Sequence, residues 1–587
     1  MTPKELIDCS ERLIQQRQEW DKVWSAISRY VLPMQDRFWN TGTPASATTE
    51  TFEGWAAGPR SADKLGERYD VTGLIGIERL ATGLLSLATP DNEKWQDLDK
   101  FSLFGEEASD GEKRWMEKQR DYLFKVRYNP LCGWALANKF AIRSMCAFGC
   151  GFYLIEESYG GRGGDQVVVP YRFSPLPLSE NYFTVDGQGN LDQDYRRFKM
   201  SARALAGLPG FKVSAKTLAK ANDPKKQHEM VEVLHYVAYR QESGYKSDPN
   251  RTSKVTSVYI EVEEKHELKQ GGFSYWPIVG YHWNQVPHSP YGEGPVMLVL
   301  SEIKGTNLNA KNALLSMQQI TAPPIATSED LGQKPNLNPR AINYGALTPS
   351  GELKIKPLLT AQNPSLVVDV LNQGRDVIKD GLYLNLWQIL INDPNMTATQ
   401  ALIRANEKGE LLGPIGSNIE RGLSNCTDAE LDIIKGKGAW EPGSALAPPE
   451  SMLGSGVQTV FDSPLSRLRR SSEMLGIERT LMTAGQLAQM GRTDVLDRID
   501  ADAILETAQE VNGAPRKMLK PAEEVMAMRE QRAREEQMAK AMQAAGAAAQ
   551  VGADATKALP AVGALAQMTG NKPVQDDLKQ ALLGKPS

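Results

Sequence analysis

Residues 363–412 read NPSLVVDVLNQGRDVIKDGLYLNLWQIL, then INDPNM, then TATQALIRANEKGELL, and the fold turns on this stretch. Asn363 followed by Pro364 is a helix start: Asn accepts orphan amide hydrogens, and Pro at the first helical position loses nothing. Leu366, Val367, Val370, Leu371, Val377, Ile378 and Leu382 recur at helical spacing on one broad apolar stripe. Gly374 and Gly381 lie on or beside that stripe, where a neighbouring helix can approach closely, although each costs about 1 kcal/mol relative to Ala. Asp393-Pro394 ends the run, because Pro394 has no amide hydrogen and restricts the residue before it. A new helix starts with Thr397 or Thr399 as its cap. At ~1.5 Å per residue, residues 364–390 make a rod of about 40 Å.

A chain of 587 residues is too long for one core, and a prior of roughly 150 residues per domain predicts three or four domains. The formal net charge is −5, with Lys+Arg 67 against Asp+Glu 72, so no global basic excess points to a phosphate-gripping protein. Five cysteines in such a length argue against a disulfide framework and for a reducing compartment. The opening MTPKELIDCSERL lacks the apolar centre of a secretion signal. The longest largely apolar run, Ala135 to Ile155, is interrupted by Asn138, Lys139 and Arg143, which excludes a membrane span.

Outward from the rod, residues 3–31 predict an amphipathic helix, and 40–60 a polar loop or arm. Thr72 is placed to cap a helix carrying Ile75, Leu80, Leu84 and Leu87, closed by Pro90, with an extended segment from Trp95. Ser109-Asp110 opens a charged helix to about Tyr128. An apolar helix over 132–148 hands over at Gly149 and Gly151 to a strand, Phe152 to Glu156. Gly160–Gly164 is a turn leading to a strand at 166–172. Further strands are predicted at 230–240, 255–263 and 274–283, with a short helix near 201–208, so the first half is α+β with an antiparallel sheet. From Pro295 a second long helix carries Met297, Leu300, Ile303, Leu308, Leu314 and Met317. Residues 322–362 form a Pro- and Asn-rich insertion between two rods, most economically an antiparallel hairpin with a small domain at its tip. Beyond a Gly/Pro-rich loop (435–456), Ser463-Pro464 starts another helix to about Met490. A shorter helix follows at 501–512, then a helix-prone, Ala-rich tail from Lys520 that turns low-complexity beyond Ala544.

Enzyme motifs are largely missing. No G-x-x-x-x-G-K-[ST] loop occurs, and the Gly160–Gly164 run has neither the following helix nor the lysine. Cys146 and Cys150 are four apart on a predicted helix, but no second Cys or His pair completes a zinc site. His282 and His288 flank a Pro-rich turn with no Ser or Cys triad motif. DGQGNLDQD (186–194) fails as a calcium loop, since Leu191 takes the glycine position and Arg197 the bidentate Glu position; it reads as a β-turn. The sequence predicts no catalytic residue, no metal ligand set and no cofactor. Arg467, Arg469 and Arg470 form the one tight basic cluster of note, read as a solvated helical face. Residues 364–396 hold Arg375 and Lys379 against Asp369, Asp376, Asp380 and Asp393. Such a surface does not grip phosphate, yet DNA can slide over it.

The order of segments resembles the portal, or head-to-tail connector, proteins of short-tailed (podovirus-type) bacteriophages. The resemblance rests on Tyr69-Asp70-x-Thr72-Gly73 with Leu80, Gly83 and Leu84; Thr89-Pro90 and Trp95; and Tyr291-Gly292-x-Gly294-Pro295. It continues in Pro394-Asn395-Met396-Thr397-Ala398-Thr399, Leu411-Leu412-Gly413-Pro414 and Ser463-Pro464-Leu465. It implies a multi-domain α+β portal fold: an α+β wing (1–290), first stem helix (291–319), small α/β clip (320–363), second stem helix (364–390), tunnel loop (391–397) and returning wing helix (398–426). An α-helical crown (427–519) and a C-terminal helical barrel or tail (520–587) complete it. The implied assembly is a ring, usually dodecameric, at one capsid vertex of the virion, built in the host cytoplasm. Double-stranded DNA passes through it during packaging and ejection, past Asn392, Asp393, Pro394, Asn395 and Met396 at the constriction. Implied partners are terminase (transiently), tail adaptor or tube proteins, and the major capsid and scaffolding proteins, with no membrane. The alternatives are a capsid or tail adaptor or scaffold without a DNA channel, and a nuclease or ATPase subunit, for which a Walker loop or acidic metal cluster is missing.

Overall fold

Side-chain caps set where the helices begin. Helix α1 (Pro3–Gln16) starts from a capping box in which Thr2 and Glu5 satisfy each other's backbone amides. The computed structural model describes residues 1–32, 68–101, 108–158, 169–241, 244–245, 253–321, 325–327, 334, 336, 342, 344, 346–357, 364–385, 398–452, 456–490, 499–512 and 522–550. The arm 40–60, the glycine run 160–164 and the loop 391–397 lie outside the described residues. Two units separate at residue 498.

The predicted helix 3–31 is two helices, α1 and α2 (Gln18–Tyr30), broken at Arg17. Arg17 is buried: its Nε donates to Asp21 Oδ1 at 2.9 Å, Nη1 donates to Leu178 O at 2.8 Å, and the guanidinium lies 3.8 Å from the Tyr182 ring centre. A tertiary need for a cation between the helices and the sheet overrides a continuous amphipathic pattern. Next come α3 (Thr72–Ala88), strand β1 (Gln96–Phe101), α4 (Asp110–Arg127) and α5 (Trp134–Phe148). Ser109 and Glu112 form a second capping box on α4. Gly149 ends α5 at φ +86°, where a Cβ would collide with the Gly292 carbonyl, so only glycine serves there.

Two antiparallel sheets follow. Strands β2 (Cys150–Glu157) and β3 (Tyr171–Leu176) pair, and β2 also pairs β9 (Ile278–His282), in order β3-β2-β9. The second sheet runs in sequence order: β4 (Asn181–Val185), β5 (Leu191–Ser201), β6 (Met230–Tyr239), β7 (Val255–Glu261) and β8 (His266–Phe273). Strands β4, β5 and β8 are not in the sequence prediction, because their burial is mixed along the chain, and β3 begins later than the predicted 166. Short helices α6 (Ala202–Ala206) and α7 (Ala215–Asn222) sit between β5 and β6. The 186–190 segment is the predicted turn: the Asp186 carboxylate accepts from the amides of Gln188 and Asn190, each at 2.8 Å. A two-residue ladder, β10 (Asn284–Gln285) with β11 (Gly292–Glu293), leads into the first rod, α8 (Pro295–Thr321). Strands β12 (Ile325–Thr327) and β13 (Ile355–Pro357) pair antiparallel between the rods, and Leu347 bridges Leu353.

Three expectations about the second half need correction. The second rod, α9, is Pro364–Gly381 and does not continue as one helix to 390: Tyr383 sits at φ +57°. Helix α10 runs Ala398–Gly436 with Pro414 inside it, so the expected boundary at 427 falls within a single helix, and Thr399 lies within it as well. The segment 427–519, expected as an α-helical crown with a Gly/Pro-rich loop at 435–456, also contains strand β14 (Gly456–Phe461), which pairs with β1 in antiparallel register from Gln96↔Phe461 to Phe101↔Gly456. Helix α11 (Pro464–Gln489) follows, with Ser463 Oγ accepting from Ser466 N at 3.2 Å. In the second unit, Arg529 of α13 (Ala522–Gln550) pairs with Asp502 of α12 (Ala501–Asn512) at 2.6 Å.

One buried ion pair ties the second half to the first. Arg127 on α4 and Glu430 on α10 are both fully buried. The Arg127 Nε donates to Glu430 Oε1 at 2.9 Å, Nη1 to Gln96 Oε1 at 2.9 Å and Nη2 to Thr427 Oγ1 at 3.2 Å. The guanidinium lies 5.0 Å from the ring centres of both Trp95 and Trp134. Burial alone lowers the guanidinium pKa, but Glu430 outweighs it and holds the group charged. Arg127→Met strands the Glu430 carboxylate, so the denaturant midpoint should fall by the equivalent of about 3–5 kcal/mol. The double change Arg127→Met with Glu430→Leu should recover most of that loss.

Candidate functional site

The titratable side chains that drew attention in the sequence are packing elements. Cys146 lies in α5 but Cys150 begins β2, so they do not share a helix face. Burial pushes the Cys150 thiol up to about 12 and Cys146 higher, which keeps both as unreactive thiols. His282 Nε2 pairs with the Pro290 carbonyl at 3.0 Å, and burial lowers its pKa. His288 sits in the turn at φ +59°. Arg467 is held by Asp462 and Glu93, at 3.1 and 3.0 Å. Among the described residues, no three His, Cys, Asp or Glu side chains converge as a metal site would require.

What the fold does assemble is a clamp on two rods. Helices α8 and α9 run antiparallel: Gly381 faces Val299, Gly374 faces Glu302 and Thr306, and Leu371 packs with Ala310 and Ala313. A Cβ at Gly381 would collide with Val299 Cγ1, and one at Gly374 with Thr306 Oγ1, so the two glycines seven residues apart set the distance between rods. Small residues at the contact let backbones approach, which offsets their poor helix propensity.

Helix α3 holds both rods. Ile303 of the first rod packs on Gly73, and Leu382, just after the second, packs on Gly76. At the start of α3, Asn307 Oδ1 accepts from the amides of Tyr69 and Asp70 at 2.8 and 3.2 Å. Asp70 Oδ1 accepts from Thr72 N at 2.9 Å, and its Oδ2 accepts from Arg375 Nε of α9 at 2.8 Å. Thr72 is therefore the first helical residue and not the cap: the N-cap position is Val71, which makes no side-chain bond, and Asp70 ahead of it satisfies the first helical amide. Burial pushes the Asp70 carboxyl up, but hydrogen bonds from Thr72 and Arg375 outweigh it and hold it below the usual carboxylate range. In the sequence, the Asp-x-Thr spacing ahead of a helix is the local signal for Asp70, and nothing local joins it to Arg375, 305 residues away.

The predicted single stripe on the second rod is split in two. Leu371, Ile378 and Leu382 are buried, whereas Val370 and Val377 are 44% and 52% exposed; the side chains of Leu366 and Val367 lie outside the described residues. The first rod likewise exposes Leu298, Leu308, Leu314, Leu315, Met317 and Ile320. Val370 and Val377 make an outer apolar line on the second rod, while the exposed apolar residues of the first rod, and Val368 of the second, lie on other faces; both rods leave apolar surface uncovered by this chain, a signature of a contact surface. The segment Asn392, Asp393, Pro394, Asn395 and Met396 lies outside the described residues.

Asp70 makes the clamp pH-dependent in one direction. Its folded pKa lies below the unfolded value of about 3.9, so its contribution is fully present above about pH 4 and is lost as pH falls through the lower folded value. Asp70→Asn should cost about 1–2 kcal/mol at pH 7, allowing for the partial exposure of Arg375. The difference from wild type should vanish in denaturation curves at the acid end.

The bacteriophage head to tail connecting protein family matches residues 3–519. The chain is 24% identical over 533 residues to a probable portal protein of Bordetella phage BPP-1, covering 88% of this chain and 89% of that protein. It is 25% identical over 404 residues to a portal protein of Salmonella phage epsilon15, covering 66% and 69%. With an α+β fold built on a clamped rod pair and a family match over nearly its whole length, the chain belongs to the bacteriophage head-to-tail connecting proteins, structural components of the virion and not enzymes.

Proposed function

We propose that the chain assembles into a closed ring, a dodecamer, at one vertex of the capsid, and that double-stranded DNA crosses its bore during packaging and ejection. The observation that carries this reading is the apolar surface left uncovered on both rods, including Leu298 and Leu308 on α8 and Val370 and Val377 on α9. A contact between one copy's exposed α8 surface and the next copy's α9 surface is heterologous, and such a contact must close into a ring or grow without limit. Two curated relatives carry the name portal protein, which favours closure around a bore.

In this reading α8 and α9 are the stem, β12 and β13 belong to the clip, and residues 391–397 face the bore. A wall with Asp369, Asp376 and Asp380 against Arg375 and Lys379 adds no net phosphate affinity, since each neutralised phosphate would bind DNA and retard it. Asn392, Asp393 and Asn395 are polar and not cationic for the same reason. Terminase would dock transiently, tail adaptor or tube proteins would take the opposite duty, and capsid and scaffolding proteins would surround the ring, assembled in the host cytoplasm.

Val377→Lys places a charge on the outer line and should leave a folded monomer by sedimentation, with unchanged circular dichroism. Asp393→Lys with Asn395→Lys should leave rings intact but reduce DNA-filled heads. Normal filling by that double variant would remove the loop from the channel wall, and rings formed normally by Val377→Lys would remove the apolar line from the interface.

A further inference from the structure

The second rod ends in a way its own sequence does not require. Leu382 N still donates to Ile378 O at 3.0 Å, but Tyr383 N donates to Asp380 O at 2.9 Å and Tyr383 turns left-handed at φ +57°. A left-handed Tyr is strained by about 1–2 kcal/mol. In a continuing helix, residues two apart lie about 200° apart around the axis, so Leu382 and Leu384 would point to opposite sides. The bend at Tyr383 instead brings both to one place: a Cβ on Gly76 would lie 2.6 Å from Leu382 Cδ1 and 3.3 Å from Leu384 Cδ1. Both leucines are buried, at 0% and 5% exposure. The Tyr383 ring rests on Trp283 with centres 5.7 Å apart, and Asn385 Nδ2 donates to Asp380 Oδ1. The bend is therefore held from three sides: α3, the strand end at Trp283, and the rod itself.

We propose that Gly76 is a positioning residue. The notch it leaves on α3 receives Leu382 and Leu384, and this pin, rather than the rod's own helical course, fixes where and in which direction the chain leaves the second rod toward residues 386–397. The proposal rests on the channel reading only for what that following segment does. Helix α3 also carries the first rod through Gly73 and Ile303, so one helix sets the exit of the second rod relative to the first.

The test is a size swap across the notch in assembled rings. Gly76→Val should displace Leu382, leave rings visible by electron microscopy, change the limited-proteolysis pattern of residues 386–397 and cause a loss of DNA-filled heads. Adding Leu382→Ala to Gly76→Val should restore the wild-type cleavage pattern and filling, which general destabilisation would not do. If Gly76→Val fails to fold, Leu382→Ala alone empties the notch and should shift the cleavage pattern by itself. A wild-type pattern in Gly76→Val rings, or in Leu382→Ala rings, overturns the proposal, as does a double variant no better than the single one. A changed pattern with normal DNA filling supports the pin and contradicts the channel reading instead.

Discussion

The Asp70 carboxylate is the interaction on which the arrangement of the rods depends. One oxygen accepts from the first amide of α3, that of Thr72, and the other holds Arg375 on the second rod, while the first rod's Asn307 takes the amides of Tyr69 and Asp70. Three elements distant in sequence thus meet at one helix terminus. The same helix carries two glycines that admit Ile303 and Leu382, so a polar node fixes the register of an apolar contact. Rod spacing is then set by Gly374 and Gly381, where any side chain would wedge the pair apart.

The second half of the chain is held to the first by interactions of unlike kinds. The Arg127–Glu430 pair, enclosed by two tryptophans, locks the returning helix α10 onto α4 and β1. The β1–β14 ladder brings the chain after α10 back to the same place. A buried pair of this kind adds little net stability over apolar packing but punishes every arrangement that separates its members. That suits a protein in which α10 has to return to one site after the excursion through the rods.

Much of this was legible where the physics is local. Ser109-Asp110, Ser463-Pro464 and Asn363-Pro364 marked helix starts, Gly149 marked a helix end, and 3.6-residue periodicity marked both rods. The rest was hidden because distant contacts overrule local pattern. The helical pattern runs past Gly381, yet the helix stops there because Leu382 and Leu384 gain a common notch on α3. The break at Arg17 answers the carbonyl of Leu178 and the ring of Tyr182. Strand β14 had no visible signal, since its partner lies at the other end of the α+β region. In the candidate site, the charges of Asp70 and Arg375 were visible but their pairing was not, because nothing local joins residues so far apart.

In the proposed ring, apolar surface left uncovered on the clamped rods closes identical chains around a bore. Electron-microscopy class averages of the purified full-length chain test it most directly. Closed rings of a single symmetry, with the rod pairs lining an open centre, are the predicted result. Monomers that persist at high concentration, or open filaments, would contradict it.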